Sequence, residues 1–469
     1  MTDAAAPTAY HLERAWLALD GEGPRVHDEV AVTVREGRFA TLRPGAPRDP
    51  GAHHLPGLTL PGLANTHSHA FHRALRGHAQ HEGGTFWTWR TRMYALARRL
   101  DPASYGRLAR AVFRELVASG ATSVGEFHYV HHRPDGSGYA DPEGGPNAMA
   151  HAVVAAAREV GLRITLLDTC YLAAGFGEPA RDAQVRFDDG SAAAWWARTS
   201  RLREELEGVD GVRVGAALHS VRAVPPEALA ALAGLGVGHD DLPLHVHVSE
   251  QPAENEACLA ATGRTPTALL DDHGLLGTAT TLVHATHLTA DDVARIGRAG
   301  AYVSFCPTTE RDLGDGIGPA RALADAGARL TLGSDSHAVV DPFEEMRAVE
   351  LHERLASLRR GRLDAADLLH AATVDGHASL GVPDAGRIAV GGRADLVTLD
   401  TASPRTAGTG ADEHTAVFAA TAADVGHVVV DGVVRHRAVD ARDVGRALER
   451  AVAEVLAEVT AEVTAEVPA

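Results

Sequence analysis

The chain has 469 residues, 45% of them hydrophobic, and a formal net charge of −18. That length suits a large α/β barrel with an added domain and a sizeable core, and the negative balance disfavours nucleic acid and other polyanions as partners. All 44 basic residues are arginine, which rules out a P-loop lysine, a Schiff-base lysine and a carbamylated lysine bridging two metals.

The N-terminal MTDAAAPTAYHLERAW lacks the basic region and apolar segment of a secretory signal, and no stretch reaches the roughly 18 consecutive apolar residues that a membrane span needs. Cys170, Cys258 and Cys306 are far apart and odd in number, so a reducing compartment is expected rather than a disulfide framework. A soluble, cytoplasmic protein with no membrane partner follows as the expectation. DEVAVTVREGRFATL alternates like two strands around a tight turn, making residues 1–60 the N-terminal part of a small β-domain.

From residue 61 short apolar, β-branched runs alternate with segments of helical period, the pattern of βα units building a parallel sheet. Candidate strands end in GLTLPGLANTH, ATSVGEFHY, RITLLDTCY, VRVGAALHS, LPLHVHVSE, TTLVHATH, AYVSFCP and ARLTLGSDS. SYGRLARAVFRELVASG, NAMAHAVVAAAREVG, AAAWWARTSRLREELEG and ADDVARIGRAG read as helices between them. The turn-rich segment at 133–146 follows a strand end, where a lid or substrate loop would lie. GRIAVGGRADLVTLD and VGHVVVDGVVRHR supply short strands at 386–440, and 441–469 reads as a low-complexity helical tail repeating AEVT. The fold class is therefore α/β: a TIM-type (β/α)8 barrel over 61–385, with a small β-sandwich domain built from both chain ends.

Active sites of such barrels lie at the C-terminal ends of the strands. In THSHAF, residues i and i+2 of a strand point the same way, so His67 and His69 converge. His247 closes the fifth strand, His284 the sixth and Asp335 the eighth. Three imidazoles and a carboxylate on one rim suit one divalent ion per chain, zinc being the expected one, with a position left for water. Glu250, three residues after His247, is placed to move protons between that water and a substrate nitrogen. His284 is either a ligand or a donor to the water. His245 and His287 read as supporting or core groups, and His131 and His132 as ordinary loop histidines.

PGLANTHSHAF, HVSEQPAE, LVHATHLT and GSDS resemble the amidohydrolase superfamily in its mononuclear deaminase branch. EFHYVHH, FCPTTERDLGDGI and GSDSHA are similar, more narrowly, to the formimidoylglutamate deiminase family. The resemblance implies deamination of N-formimino-L-glutamate to N-formyl-L-glutamate and ammonia in histidine degradation, and a homodimer. It implies metal ligation by His67, His69, His247 and Asp335, proton transfer by Glu250 together with Asp335, and contact of His284 with the attacking water. Substrate contacts fall on Arg90, Tyr129, His219 and Arg222, with Arg92 standing close to Arg90. His72 departs from the glutamine common in the family. A dicarboxylate substrate agrees with two arginines, because guanidinium binds carboxylate through paired charge-assisted hydrogen bonds. The alternatives are another aminohydrolase such as a nucleobase deaminase, an imidazolonepropionase-like ring-opening enzyme, or a scaffold without activity.

Overall fold

In the computed structural model, which describes residues 7–19, 22–80, 86–140, 144–238 and 242–463, the β-branched runs of both chain ends meet in one mixed sheet. Its N-terminal strands are β1 (Thr8–Leu17), β2 (Arg25–Arg35), β3 (Arg38–Arg43) and β4 (His53–Pro61). The eight following strands are β5 (Leu63–Ser68), β6 (Ala121–His128), β7 (Arg163–Cys170), β8 (Val212–Ser220), β9 (Leu244–Val248), β10 (Thr280–His284), β11 (Tyr302–Phe305) and β12 (Arg329–Leu332). They pair in that order into an 8-stranded sheet, and every neighbouring pair is parallel. The C-terminal strands β13 (Leu396–Leu399), β14 (Val425–Val430) and β15 (Val433–Arg437) join the first sheet, giving the 7-stranded order β15-β14-β13-β4-β1-β2-β3.

Strands buried on both faces need side chains that are apolar or internally satisfied. β5, β6 and β7 are buried along their whole length. Under the rim, the Thr66 hydroxyl donates to the Leu332 carbonyl at 2.8 Å and lies 2.8 Å from the Ser304 hydroxyl, so polar residues inside the barrel find partners there.

The barrel closes between its first and last strands, and the seam runs through the histidine motif. The His67 carbonyl accepts from Ser334 N at 3.0 Å and Asp335 N at 2.9 Å, and His69 N donates to the Asp335 carbonyl at 3.1 Å. Asn65 adds a side-chain clamp, donating to Ser334 Oγ at 2.7 Å and accepting from Ser334 N at 2.8 Å. Gly333 has to be glycine for this approach, since a Cβ there would lie 2.7 Å from the Cβ of His67.

The helices that bear on the site are α1 (Phe86–Arg99), α2 (Pro102–Ala118), α3 (Ala148–Val160) and α4 (Ala192–Glu205). Asp101 caps α2, accepting from Ser104 N at 2.7 Å, and Leu108, Val112 and Leu116 form its buried stripe as their spacing predicts. The C-terminal helix runs from Ala441 to Val463. The last part of the expected tail, 464–469, and residues 141–143 of the turn-rich loop lie outside the described residues. Among the described residues no helix is long and apolar enough to cross a membrane.

Candidate metal centre and active site

His67 is the penultimate residue of β5 and His69 follows directly after the strand, and their rings stand 4.7 Å apart at their centroids. Strand alternation brings both to the barrel mouth, where β9 supplies His247 and the turn after β12 supplies Asp335. One donor atom from each of the four lies within 4.8 Å of all the others. His67 Nε2 is 3.0 Å from His247 Nε2 and 3.2 Å from Asp335 Oδ1, and His69 Nε2 is 3.4 Å from the same oxygen. The far side of two rings is already committed. His69 Nδ1–H donates to the Phe127 carbonyl at 3.0 Å and His247 Nδ1–H to the His219 carbonyl at 2.8 Å. Each therefore turns a bare Nε2 lone pair inward.

Burial lowers the His67 pKa against the opposing pull of Asp335, and drives His69 and His247 well below the usual range. They are neutral, the form that binds metal. Burial alone would raise Asp335, but its hydrogen bond with His67 and the charge of His284 hold it well below the carboxylate range. Lone pairs and a carboxylate converging on one point repel each other unless a cation sits among them, so the four residues fit a single divalent ion.

Glu250 and His284 stand beside this cluster. His284 Nε2 is 3.7 Å from Glu250 Oε1 and 3.9 Å from Asp335 Oδ2, while its Nδ1 is 3.4 Å from Glu310 Oε1. Burial lowers the His284 pKa, yet Glu250, Glu310 and Asp335 together bring it up to about 10. Burial also raises Glu250, against the pull of His284. The backbone is strained here: Ser249, His284, Ala285, Asp335 and His337 have φ of 52°, 68°, 48°, 42° and 57°, a region that non-glycine residues seldom occupy and that clusters at functional sites.

A cavity of about 480 Å³ opens on the same rim, lined by Arg90, Tyr94 and Arg222 among others. The Arg90 guanidinium lies over the Trp87 ring, 4.4 Å from its centroid. Arg92 is turned the other way and donates to the His78 carbonyl. Arg222 donates to the Ala174 carbonyl at 3.2 Å. His219 packs its ring 5.2 Å from that of His247 and 4.6 Å from that of Tyr171. Tyr129 is buried and its hydroxyl is 2.8 Å from His72 Nε2. The His72 ring lies tilted 4.5 Å from that of His69, and burial lowers its pKa to about 3.

A family model described as the amidohydrolase family matches residues 58–435. The chain belongs to the amidohydrolase family. This amidohydrolase is 41% identical over 408 residues to formimidoylglutamate deiminase of Pseudomonas aeruginosa, an alignment covering 85% of this chain and 87% of that protein. The crystal structure of an amidohydrolase from Brucella melitensis superposes with a TM-score of 0.86 at 32% identity, covering 96% of this chain and all of the other. An adenosine deaminase from Xanthomonas campestris, crystallised with bound zinc, shares the fold at a TM-score of 0.79 and 23% identity, over 95% of this chain and 98% of its own.

Two carboxylates of the amidohydrolase site escape a reading based on strand ends. Glu310, in FCPTTE, accepts from Cys306 N at 2.9 Å while it faces His284 Nδ1. Glu126, in GEFHY, accepts from the Ser68 hydroxyl at 2.6 Å and from Ala70 N at 2.7 Å, bracing the turn that carries His69. Burial pushes its pKa up to about 8. The available signal was their place inside the discriminating motifs EFHYVHH and FCPTTE. His131 and His132 lie in the loop after β6, as the sequence reading has them, and they are buried there. His131 Nε2–H donates to the Thr169 carbonyl at 2.9 Å, and His132 Nε2 lies 3.0 Å from Asp189 Oδ1, because the chain after β6 folds inward under residues 182–189. His245 is buried and His287 Nε2–H donates to the Asp315 carbonyl at 2.7 Å, both in supporting positions.

Proposed function

We propose that this enzyme hydrolyses N-formimino-L-glutamate to N-formyl-L-glutamate and ammonia, as the Pseudomonas aeruginosa relative's name describes for that protein, and that its ion is zinc. The observation that carries the reading is a cavity lined by Arg90, Arg181 and Arg222, of which Arg181 is already paired with Glu178, on the same barrel rim as the His3Asp cluster. A glutamate derivative offers two carboxylates to the guanidiniums of Arg90 and Arg222, whereas a neutral nucleobase needs neither. Zinc is supported by the three imidazoles and one carboxylate of the donor set.

His67, His69, His247 and Asp335 would hold the ion, which when bound acidifies a water, lowering its pKa from 15.7 toward roughly 7. Arg222 and Arg90 bind the carboxylates and present the formimino carbon to that water, with Tyr129, His219 and His72 lining the approach. Glu250 takes the proton of the attacking water and passes it to the terminal nitrogen. The hydroxyl left on the carbon then gives its proton, by way of Asp335, to the same nitrogen, the C–N bond breaks and ammonia leaves, and the new C=O bond completes the formyl group. His284, held by Glu310 on its other face, donates a hydrogen bond to the oxygen as charge develops there.

The assembly that goes with this reading is a cytoplasmic homodimer whose partner is the small dicarboxylate, with no nucleic acid or membrane involved. Three buried free cysteines accord with a reducing compartment and the net charge of −18 disfavours nucleic acid, while the homodimer rests on the family resemblance alone. Product analysis tests the function: ammonia and N-formylglutamate are expected, whereas formamide and glutamate would mean cleavage of the other C–N bond. Turnover of a neutral nucleobase with none of N-formimino-L-glutamate would overturn the reading.

A further inference from the structure

Arg186 is fully buried and makes no ion pair among the described residues. Its Nε donates to the His132 carbonyl at 3.1 Å, its Nη2 to the Leu100 carbonyl at 2.8 Å, and its Nη1 to the Ala97 carbonyl. Burial lowers its pKa to about 10, so it stays charged at neutral pH. The Ala97 and Leu100 carbonyls lie at the C-terminal end of α1, where unpaired carbonyls and the negative end of the helix dipole favour a cation. In return the Arg186 carbonyl accepts from His131 N at 3.1 Å and His132 N at 2.9 Å. One residue thus joins the end of α1 to the chain just beyond Tyr129.

Its neighbours extend the joint. Gln184 Nε2 donates to the Tyr171 hydroxyl at 2.8 Å and the Tyr94 hydroxyl at 3.2 Å. The Phe187 ring lies 5.0 Å from Tyr129, 5.5 Å from Tyr171 and 6.1 Å from Tyr94. α1 needs such a tether, because across its 14 residues it buries only Met93, Leu96 and Ala97, all in the half away from Arg90. Apolar packing alone leaves the arm that carries Arg90 weakly held.

We propose that Arg186 is a positioning residue for substrate recognition: its main-chain clasp fixes α1, and with it Arg90, against the segment that carries Tyr129. The proposal rests on the reading of Arg90 and Tyr129 as substrate contacts. Arg186→Lys keeps the charge but cannot reach three carbonyls at once, so KM for N-formimino-L-glutamate should rise roughly 3- to 10-fold with kcat within about 2-fold. Arg186→Met should raise it further. Combined with Arg90→Ala, Arg186→Lys should add no loss beyond Arg90→Ala alone, since both act through one contact. Hydrogen exchange followed by mass spectrometry on the metal-loaded enzyme gives a readout free of activity. Exchange should quicken in residues 86–99 and 129–140 and stay as in the wild type in β7 and β10. Losses that multiply in the double variant, or exchange that quickens throughout the barrel, would overturn the proposal and leave Arg186 as a general stabiliser. Failure of the wild type to turn over N-formimino-L-glutamate would instead bring down the functional reading, and the exchange pattern would still decide whether Arg186 fixes α1.

Discussion

Glu250 and His284 stand 3.7 Å apart beside the cluster and neither is among its four candidate ligands, and in the proposed mechanism Glu250 shuttles the protons. Glu250→Gln keeps size and hydrogen bonding, so the variant should fold and load metal while kcat falls by roughly 10²-fold or more, the scale for losing a general acid-base group. Metal content by elemental analysis beside steady-state kinetics checks this, and near wild-type turnover would remove Glu250 from the mechanism. In the proposed reading Arg222 acts on binding instead. Loss of one charge-assisted hydrogen bond to a carboxylate costs about 1.5 to 3 kcal/mol, so Arg222→Ala should lower kcat/KM by roughly 10- to 100-fold with metal content unchanged. A variant that lost its metal would show that Arg222 supports the cluster rather than the substrate.

Among the elements, β7 and α4 meet through a buried ionic network behind the substrate wall. Asp168 accepts from Arg198 Nη1 and Nη2, each at 2.8 Å, and from Trp195 Nε1 at 2.9 Å, and Asp189 accepts from Arg198 Nε at 2.8 Å. Burial would raise Asp168, but Arg198 and His131 bring its pKa below the usual value, and Asp189 is lowered in the same way by His132 and Arg198. A carboxylate depressed in the folded state adds stability above its unfolded pKa of about 3.9, and loses it as pH falls through the folded value. Asp168→Asn should therefore destabilise the protein at pH 7, by about 3 to 5 kcal/mol for a broken buried pair. The gap from the wild type should close as pH drops below about 4. Denaturant melts at pH 7, 5 and 3.5 test the sign, and a gap that widened toward acid would contradict it.

For the whole molecule the decisive number is the metal count. Four ligands converge on one point, and no lysine is present to bridge a second ion, so about one tightly bound ion per chain is expected. Because the ion binds the folded ligand set, chelation should lower Tm as well as abolish activity, and zinc should restore both. Two ions per active chain would refute the single-site geometry.

Much of this was legible in the sequence, for a periodic reason. Period-two runs separated by helical segments mark eight strands, and barrel geometry sends every strand end to one rim. His67, His69, His247 and Asp335 could thus be assigned to one place from widely separated positions, without knowing a single contact. Pairings between buried polar groups follow no period. Glu126 bracing Ser68, Glu310 beside His284, and Arg186 on the carbonyls of Ala97 and Leu100 join residues whose separation in the chain carries no signal. Likewise, His131 and His132 read as loop residues, and nothing in their spacing shows that Arg186 and Asp189 bury and bond them. The sequence by itself determined which elements form and which of their ends converge, because strand and helix periods are local properties of the chain. Only the tertiary structure decided how the site is braced and which cations meet which acceptors, because a buried hydrogen bond depends on atoms brought within about 3 Å by the packing of distant segments.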